Sequence, residues 1–511
     1  MPTLPHSLGD RRLSARQFAH RGQLRGRVHW PVLWSCFLLC VLLGPLFSTL
    51  SLDTALLTRD MVVLNHPAMT LSAVGFGDNP ARATPQDGLL ALVGYVMPAS
   101  WFVRLLLVGV GLFAAASAAQ AGRTTWQKLA AITVCLFNPF VVERLLQGHW
   151  SLVIAAWLLP AIYLRRGAPL LVALWLCSLT PTGAVAAFIV LACRRPHLRY
   201  LLFALITWLP WLIPSLLFSP VSRGTDVFFG RAEEAAGTLG TFLGLGGLWN
   251  IAAIPESRNL GFALISLLLT VILVFFMPRR LQLLSAGATA AFLLLWLGPG
   301  AWIVHTIPGA ALFRDSHKLA LFLIPGLVLA AGRISFGGRQ RFRFLSHSGA
   351  IVVIGLSLLA LPDAPHALRA LRPLPISQQW VRHEGDVVQL DNRGLVNYHG
   401  RTIVDPLTKA TSVLSAGELR IDNTLIDPPN PRFLQAEKAW RSHDHPTLCG
   451  MGISAVHENN TIHPIACTTT PIQPYRTEYF RLGIVLISIW IAQSLIPCAF
   501  GIRAYARRRK G

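Results

Sequence analysis

Four clusters of acidic and basic residues stand between long apolar runs of this chain, and each is a candidate for chemistry. The first is SLDTALLTRDMVVLNHP, with Asp53, Arg59, Asp60 and His66; the same polar stretch continues into GFGDNPARATPQDG, with Asp78, Arg82 and Asp87. The second is NPFVVERLLQGHW, with Glu143, Arg144 and His149. The third is GLGGLWNIAAIPESRN, with Trp249, Glu256 and Arg258, and the fourth is LFRDSHK, with Arg314, Asp315, His317 and Lys318. Carboxylates beside Arg, Lys and His suit a reaction in which a base takes a proton from a hydroxyl while cations, or a divalent metal ion, stabilise a departing phosphate. The same residues also suit plainer roles. Glu143 and Arg144 can pair with charges on neighbouring helices, His149 can sit in an interfacial belt, Arg314 and Lys318 can snorkel, and Asp53 and Asp60 can simply be solvated. Charges at the rim of a bilayer are costly unless paired or at work, and four clusters on one face favour a site.

The elements that would position them follow from composition. Of 511 residues, 53% are hydrophobic and 13% charged, against about 25% charged in soluble domains. The apolar residues come in repeated long runs, the pattern of a polytopic membrane protein. The net charge of +22 comes largely from Arg in short loops, where the positive-inside rule places it, so it points to cytoplasmic loops and not to nucleic acid. An all-α core of about twelve transmembrane helices is expected. The spans lie at about 30–51, 101–121, up to Asn138, up to Arg165, a helical hairpin over 167–193 turning at Thr180-Pro181-Thr182-Gly183, and then about 200–218, 260–277, 281–297, 319–332, 349–361 and 482–500. Asn138-Pro139 is expected to end the third span and VVERLLQGHW to follow as a short rim helix outside. There Glu143 and Gln147 share a face and Arg144 points about 100° away.

This topology divides the chain into a basic cytoplasmic N-terminus over 1–29, a transmembrane core with its outer loops over 30–361, an extracytoplasmic region over 362–479, and a final span with a basic cytoplasmic tail over 480–511. Both termini are then cytoplasmic in a multi-pass plasma-membrane protein. Of the 23 Asp and Glu residues, Asp10 alone falls on the cytoplasmic side, although acidic residues have little topogenic influence. The region 362–479 mixes β-like pieces (DVVQL, GLVNY, RTIVD, ELRID) with Pro-rich turns and reads as a small, mostly β extracytoplasmic domain. Cys449 and Cys467 lie in it, in an oxidising setting, and are candidates for a disulfide. NNT at 459–461 fits a glycosylation acceptor.

The motifs NPFVVERLLQGHW, LTPTG, GLGGLWN and FRDSHK, in that order over about residues 30–335, resemble the GT-C superfamily of lipid-linked-sugar glycosyltransferases. Within it they look like the actinobacterial integral-membrane branch, whose relatives include mannosyl- and arabinosyltransferases of the mycobacterial and corynebacterial envelope. The resemblance implies an inverting transfer of a sugar, arabinofuranose or mannose, from a polyprenyl-phosphate donor to an envelope glycan or glycolipid at the outer face of the plasma membrane. It points to Asp60 as the base, with Asp53 second. The sequence departs from the family pattern of two acids adjacent or one residue apart: Asp53 and Asp60 stand seven apart and Arg59 flanks Asp60, which leaves the base assignment and a divalent-cation requirement open. On this reading Arg144, Arg258, Arg314 and Lys318 are candidates for the donor phosphate. Glu143 and His149 orient or pair with them, Asp315 and His317 are further candidates for binding the donor phosphate or substrate, and Trp249 stacks on a sugar ring. A non-catalytic transporter or flippase for lipid-linked glycans would need the same basic rim, and a scaffold subunit of an envelope-assembly complex would tolerate loss of single rim charges.

Overall fold

The sequence builds helices cut at Pro and Gly. A computed structural model of the protein describes residues 29–78, 81, 83–217, 229–306, 310–335, 343–391, 394–421, 424–459, 461–467 and 474–499. The basic segment Arg11–Arg27, Arg82, Asn460 of the NNT motif and the tail after residue 499 lie outside them. Among the described residues four helices are long and apolar enough to cross a membrane: Trp30–Phe47, Ala99–Ala121, Thr125–Gln147 and Thr477–Ala499. Two bent pairs, Leu198–Ile206 with Leu209–Leu217 (57°) and His347–Leu359 with Ala364–Leu371 (44°), raise the count to six if each is one span. Twelve spans were expected. The apolar helices Trp150–Leu164, Ala168–Cys177, Pro181–Ala192, Ala263–Val274 and Ser316–Ala331 are each shorter than the ~20 residues a bilayer core requires. Among the described residues the apolar runs there are thus not matched by helices of spanning length.

The Thr125–Leu136 helix is the buried axis of the core. A capping box starts it, with Thr124 and Gln127 satisfying each other's backbone N–H, a device that fixes a helix start by about 1 kcal/mol. The helices Trp30–Leu43, Ala99–Ala118, Ile324–Ala331 and Arg343–Leu359 pack around it. It stops where Phe137 turns extended, and Asn138 then caps the Pro139–Gln147 helix by accepting from the Val141 N–H, with Pro139 at the first position. The two helices form one apolar stretch of 23 residues, buried apart from its first turn. The expected short helix after Asn138-Pro139 is thus present as Pro139–Gln147, and it is buried. The hairpin over 167–193 is present, turning at Ser178–Thr180. The Thr477–Gln493 helix is fastened to it by Trp490, which stacks on Trp175 at 4.3 Å and donates from Nε1 to Ser178 Oγ (2.8 Å).

The strands join distant parts of the chain. β1 (Thr54–Thr58) and β2 (Met61–Val63) form a two-residue hairpin, and β3 (Leu374–Pro375) pairs with the free edge of β1. β4 (Asp386–Gln389) lies between β7 (Val413–Ser415) and β10 (Ile453–Glu458), parallel to both, with β11 (Thr461–Pro464) antiparallel on β10. Parallel neighbours need crossover connections, and the helices Leu407–Ala410 and Pro431–Arg441 lie in them. The region expected to be mostly β is thus a mixed helix-and-sheet layer. β5 (Leu395–Tyr398) and β6 (Arg401–Val404) form a hairpin whose Val404 N–H donates to Arg59 O (3.0 Å). Asp78 accepts from Arg432 (2.9 Å) and Arg476 (2.6 Å). Cys449 and Cys467 are joined by a disulfide.

Candidate functional site

The site forms where the Pro139–Gln147 helix ends. Gly148 takes φ +90°, and a Cβ on it would lie 2.2 Å from Met61 N and 2.4 Å from Thr58 O. Only glycine lets the helix end approach the β1–β2 turn so closely while also adopting the left-handed conformation. The contact is sealed by the Asp60 N–H donating to Gln147 O (3.1 Å) and by Arg59 donating to Leu146 O (2.7 Å) and Ala252 O. Gly148→Ala is therefore expected to cost on the order of 3 kcal/mol, combining backbone strain with a clash against main chain that cannot move aside. A thermal-unfolding comparison in detergent checks it, and an unchanged midpoint would contradict this account of the turn.

A continuous chain of polar groups runs from the buried core to this turn. The Arg144 guanidinium, fully buried, donates from Nη1 to Asp315 Oδ2 (2.6 Å) and from Nη2 to Asp315 Oδ1 (3.1 Å), a bidentate pair. Its remaining Nη hydrogens reach His149 Nδ1 (3.1 Å) and His317 Nδ1 (3.0 Å). A guanidinium only donates, so both imidazoles accept at Nδ1 and carry their proton on Nε2. His317 Nε2 then donates to Leu245 O (3.2 Å), and His149 Nε2 donates to Asp60 Oδ2 (2.8 Å). Gln147 Nε2 donates to the same oxygen (2.9 Å), its amide turned that way by Asn250, which donates to Gln147 Oε1 (2.8 Å). The Asp60 side chain is 36% exposed, and no described residue bonds its Oδ1.

Electrostatics set both carboxylates of this chain as anions. Burial pushes Asp60 upward, but the hydrogen bonds from His149 and the Gln147 amide, with the Arg144 charge, outweigh it and hold it below its ordinary value. Burial also acts on Asp315, and the Arg144 guanidinium overrides it, holding the carboxyl well below the usual range. Both follow the rule that a nearby opposite charge favours the ionised form.

A second buried network lies beside the first. Arg258 pairs with Glu233 through Nε (2.8 Å) and Nη2 (2.7 Å) and donates from Nη1 to Ser266 Oγ (2.7 Å). Glu143 accepts from the Leu248 N–H (3.0 Å) through Oε2, while no described residue bonds its Oε1. A Cβ on Gly246 would lie 2.4 Å from Arg258 Nη2, 3.1 Å from Glu233 Oε1 and 3.2 Å from Glu143 Oε1, so this glycine gives the groups room to gather.

The structure thus brings Asp60, Arg144, His149, Asp315 and His317 into one chain and sets Glu143 and Arg258 in the next. Arg144 and Arg258, read from sequence as phosphate contacts, are fully buried, with both Nη groups of Arg144 and the Nε, Nη1 and Nη2 of Arg258 bonded to protein groups. They hold other residues in place instead. Asp53 is exposed at the far end of β1, roughly 20 Å along the strand from Asp60, and does not join the site. Arg314 and Lys318 are half-buried, with Lys318 Nζ donating to Leu312 O (3.1 Å). Trp249 is half-buried against the helical core. Glu233, Gln147 and Asn250 had no assigned role in the sequence reading. The available signal was that Gln147 shares a helix face with Glu143. A divalent cation needs several oxygen or imidazole ligands in one place. Asp60 offers one oxygen, Asp315 and Glu233 are paired with Arg144 and Arg258, and no group of three His, Cys, Asp or Glu able to hold a metal occurs among the described residues. The described residues of the site therefore gather no ligand set for a protein-held cation.

No family model matches the chain, and no curated protein does. Among solved structures it is similar to a cryo-EM structure of the arabinofuranosyltransferase AftD from Mycobacteria, at 16% identity and a TM-score of 0.48, over 83% of this chain and 35% of that one. The chain therefore spans about a third of the length of that structure.

Proposed function

We propose that the protein is a membrane glycosyltransferase that moves a sugar, arabinofuranose or mannose, from a polyprenyl-phosphate donor to an envelope glycan or glycolipid at the outer face of the plasma membrane. The observation that carries this reading is an exposed carboxylate joined through half-buried His149 to the buried Asp315–Arg144 pair, set where apolar helices meet a polar layer. The acceptor hydroxyl binds to Asp60 Oδ1. Its oxygen attacks the anomeric carbon, the bond from that carbon to the phosphate oxygen breaks with its electron pair on the phosphate, and the hydroxyl proton passes to Asp60. A carboxylate held below its ordinary pKa is a weak base, so the proton moves late, once the forming bond has made the hydroxyl acidic. His149 is a positioning residue: it fixes Oδ2 and leaves Oδ1 to the substrate. Arg314 and Lys318, either side of Asp315, are assigned to the departing phosphate.

Protein reconstituted in vesicles with radiolabelled polyprenyl-phosphate arabinose, or mannose, and a glycan fragment tests the class. Label is expected in the glycan. Labelled lipid crossing the bilayer with no label in the glycan would sink the transferase in favour of a transporter.

His149→Phe removes one of the bonds that lower Asp60, so the Asp60 pKa rises. The acid limb of the pH–rate profile should move to higher pH, with kcat lowered about 10- to 100-fold and KM little changed. A purely structural His149 would leave the position of that limb where it is in the wild type.

A further inference from the structure

A cavity of about 350 Å³ lies in the seam between the first polar loop and the region after residue 362. Its size falls within the range of small-molecule sites, roughly 300–1,000 Å³. One wall is residues 62–90 and the other is residues 394–418. The two walls are fastened by main chain, the Ala68 N–H donating to Lys409 O (2.8 Å), and by an ion pair in the lining itself, Lys409 Nζ to Asp87 Oδ2 (2.5 Å). None of these residues belongs to the Asp315–Arg144–His149–Asp60 chain.

The lining chemistry narrows the ligand. Thr70, Ser72 and Ser415 present hydroxyls, and Leu90 and Val404 present apolar surface. The charged groups among the described lining residues are Asp87, Lys409 and Glu418, one cation and two anions at neutral pH, with the cation already paired to Asp87. With Lys409 closed by Asp87, no cation among the described lining residues is left open to a phosphate or carboxylate ligand. A purely apolar ligand would leave hydroxyls and an ion pair without water. A neutral polyol with apolar C–H faces matches both halves. We infer that this cavity is a subsite for one uncharged sugar residue of a glycan, distinct from the Asp60 site. Val62 and Val63 of β2 also line it, so about 7 Å of strand separates it from the Asp60 turn. A sugar held here keeps the adjoining part of its glycan close to Asp60. That consequence rests on the transferase reading, whereas the binding itself does not.

The test measures binding to full-length protein in detergent without any donor, using neutral linear arabino- and manno-oligosaccharides of four units, with inorganic phosphate as the charged probe. Ser415 lies on β7, at an edge of its sheet, and its side chain lines the cavity; Phe is a good strand residue there. Wild type is expected to bind one of the oligosaccharides, S415F to bind it at least tenfold more weakly, and D60N to bind it as wild type does. As a second measurement that asks less of the fold, the thiol of S415C should react with a water-soluble maleimide above the wild-type background and be protected by the bound oligosaccharide. Binding of neither oligosaccharide, equal binding by S415F, tighter binding of phosphate, or an unprotected thiol would each overturn the proposal. Loss of transfer in D60N with binding intact keeps the subsite whatever becomes of the chemistry.

Discussion

Asp60→Asn is expected to lower the transfer rate by about 10²- to 10⁴-fold, the usual range for losing a positioned acid–base group, while the protein stays folded. Asn has nearly the shape of Asp and can still accept the bonds from His149 and Gln147 that Oδ2 accepts now (2.8 and 2.9 Å). It cannot take the proton of the acceptor hydroxyl. The side chain is about one-third exposed, so loss of its charge leaves no buried group without a partner, and unfolding should change little. Binding of the acceptor should survive, which places the effect in kcat and not in KM. Asp53 lies at the other end of the strand, so Asp53→Asn is expected to transfer at the wild-type rate.

Asp315→Asn is expected to destabilise the protein by about 3–5 kcal/mol, because it leaves Arg144 a buried charge with no counter-ion. The geometry says why the effect is large: both Asp315 oxygens are within 3.1 Å of the guanidinium, and an amide replaces one acceptor with a donor pointed at it. Replacing both members together, Arg144→Met with Asp315→Leu, should recover part of the loss, since a buried pair exchanged for apolar side chains is often close to neutral in stability. Activity should not recover, because His149 then has no partner at Nδ1. The pair also predicts an acid response. The Asp315 pKa is lowered in the folded protein, so its contribution is complete above the ordinary carboxylate pKa of about 3.9 and fades as pH falls from there through the lower folded value. Wild type should therefore lose stability in acid, and Asp315→Asn should lose less over the same range. Thermal midpoints of the three proteins across a pH series check both parts.

Some of this was legible in the residues and some was not. The clusters NPFVVERLLQGHW, FRDSHK and the first polar loop stood out because ionisable groups between apolar runs are costly, and the structure connects Arg144, Asp315 and Asp60 through His149. Direction was not legible. Arg144 read as a cation open to a ligand, whereas its fully buried fork is closed by Asp315, His149 and His317. Glu233 escaped notice because it lies 25 residues from its partner Arg258, and nothing in local spacing announces such a pairing. The helical hairpin over 167–193 was readable from Arg165-Arg166 and LTPTG. The number of spans was not, since apolar run length does not say where Pro and Gly will cut a helix. The parallel β7–β4–β10 arrangement depends on crossovers of long sequence separation, and the short β-like pieces looked the same as hairpin strands.

The most direct test uses membranes with matched levels of wild type, Asp60→Asn and Asp53→Asn, each given radiolabelled polyprenyl-phosphate arabinose or mannose and an envelope glycan fragment. The account predicts label in the glycan with wild type and Asp53→Asn for one of the two donors, and at least a hundredfold less with Asp60→Asn. Transfer by Asp60→Asn at the wild-type rate would contradict it, because the hydroxyl proton would then leave by a route that does not involve this carboxylate.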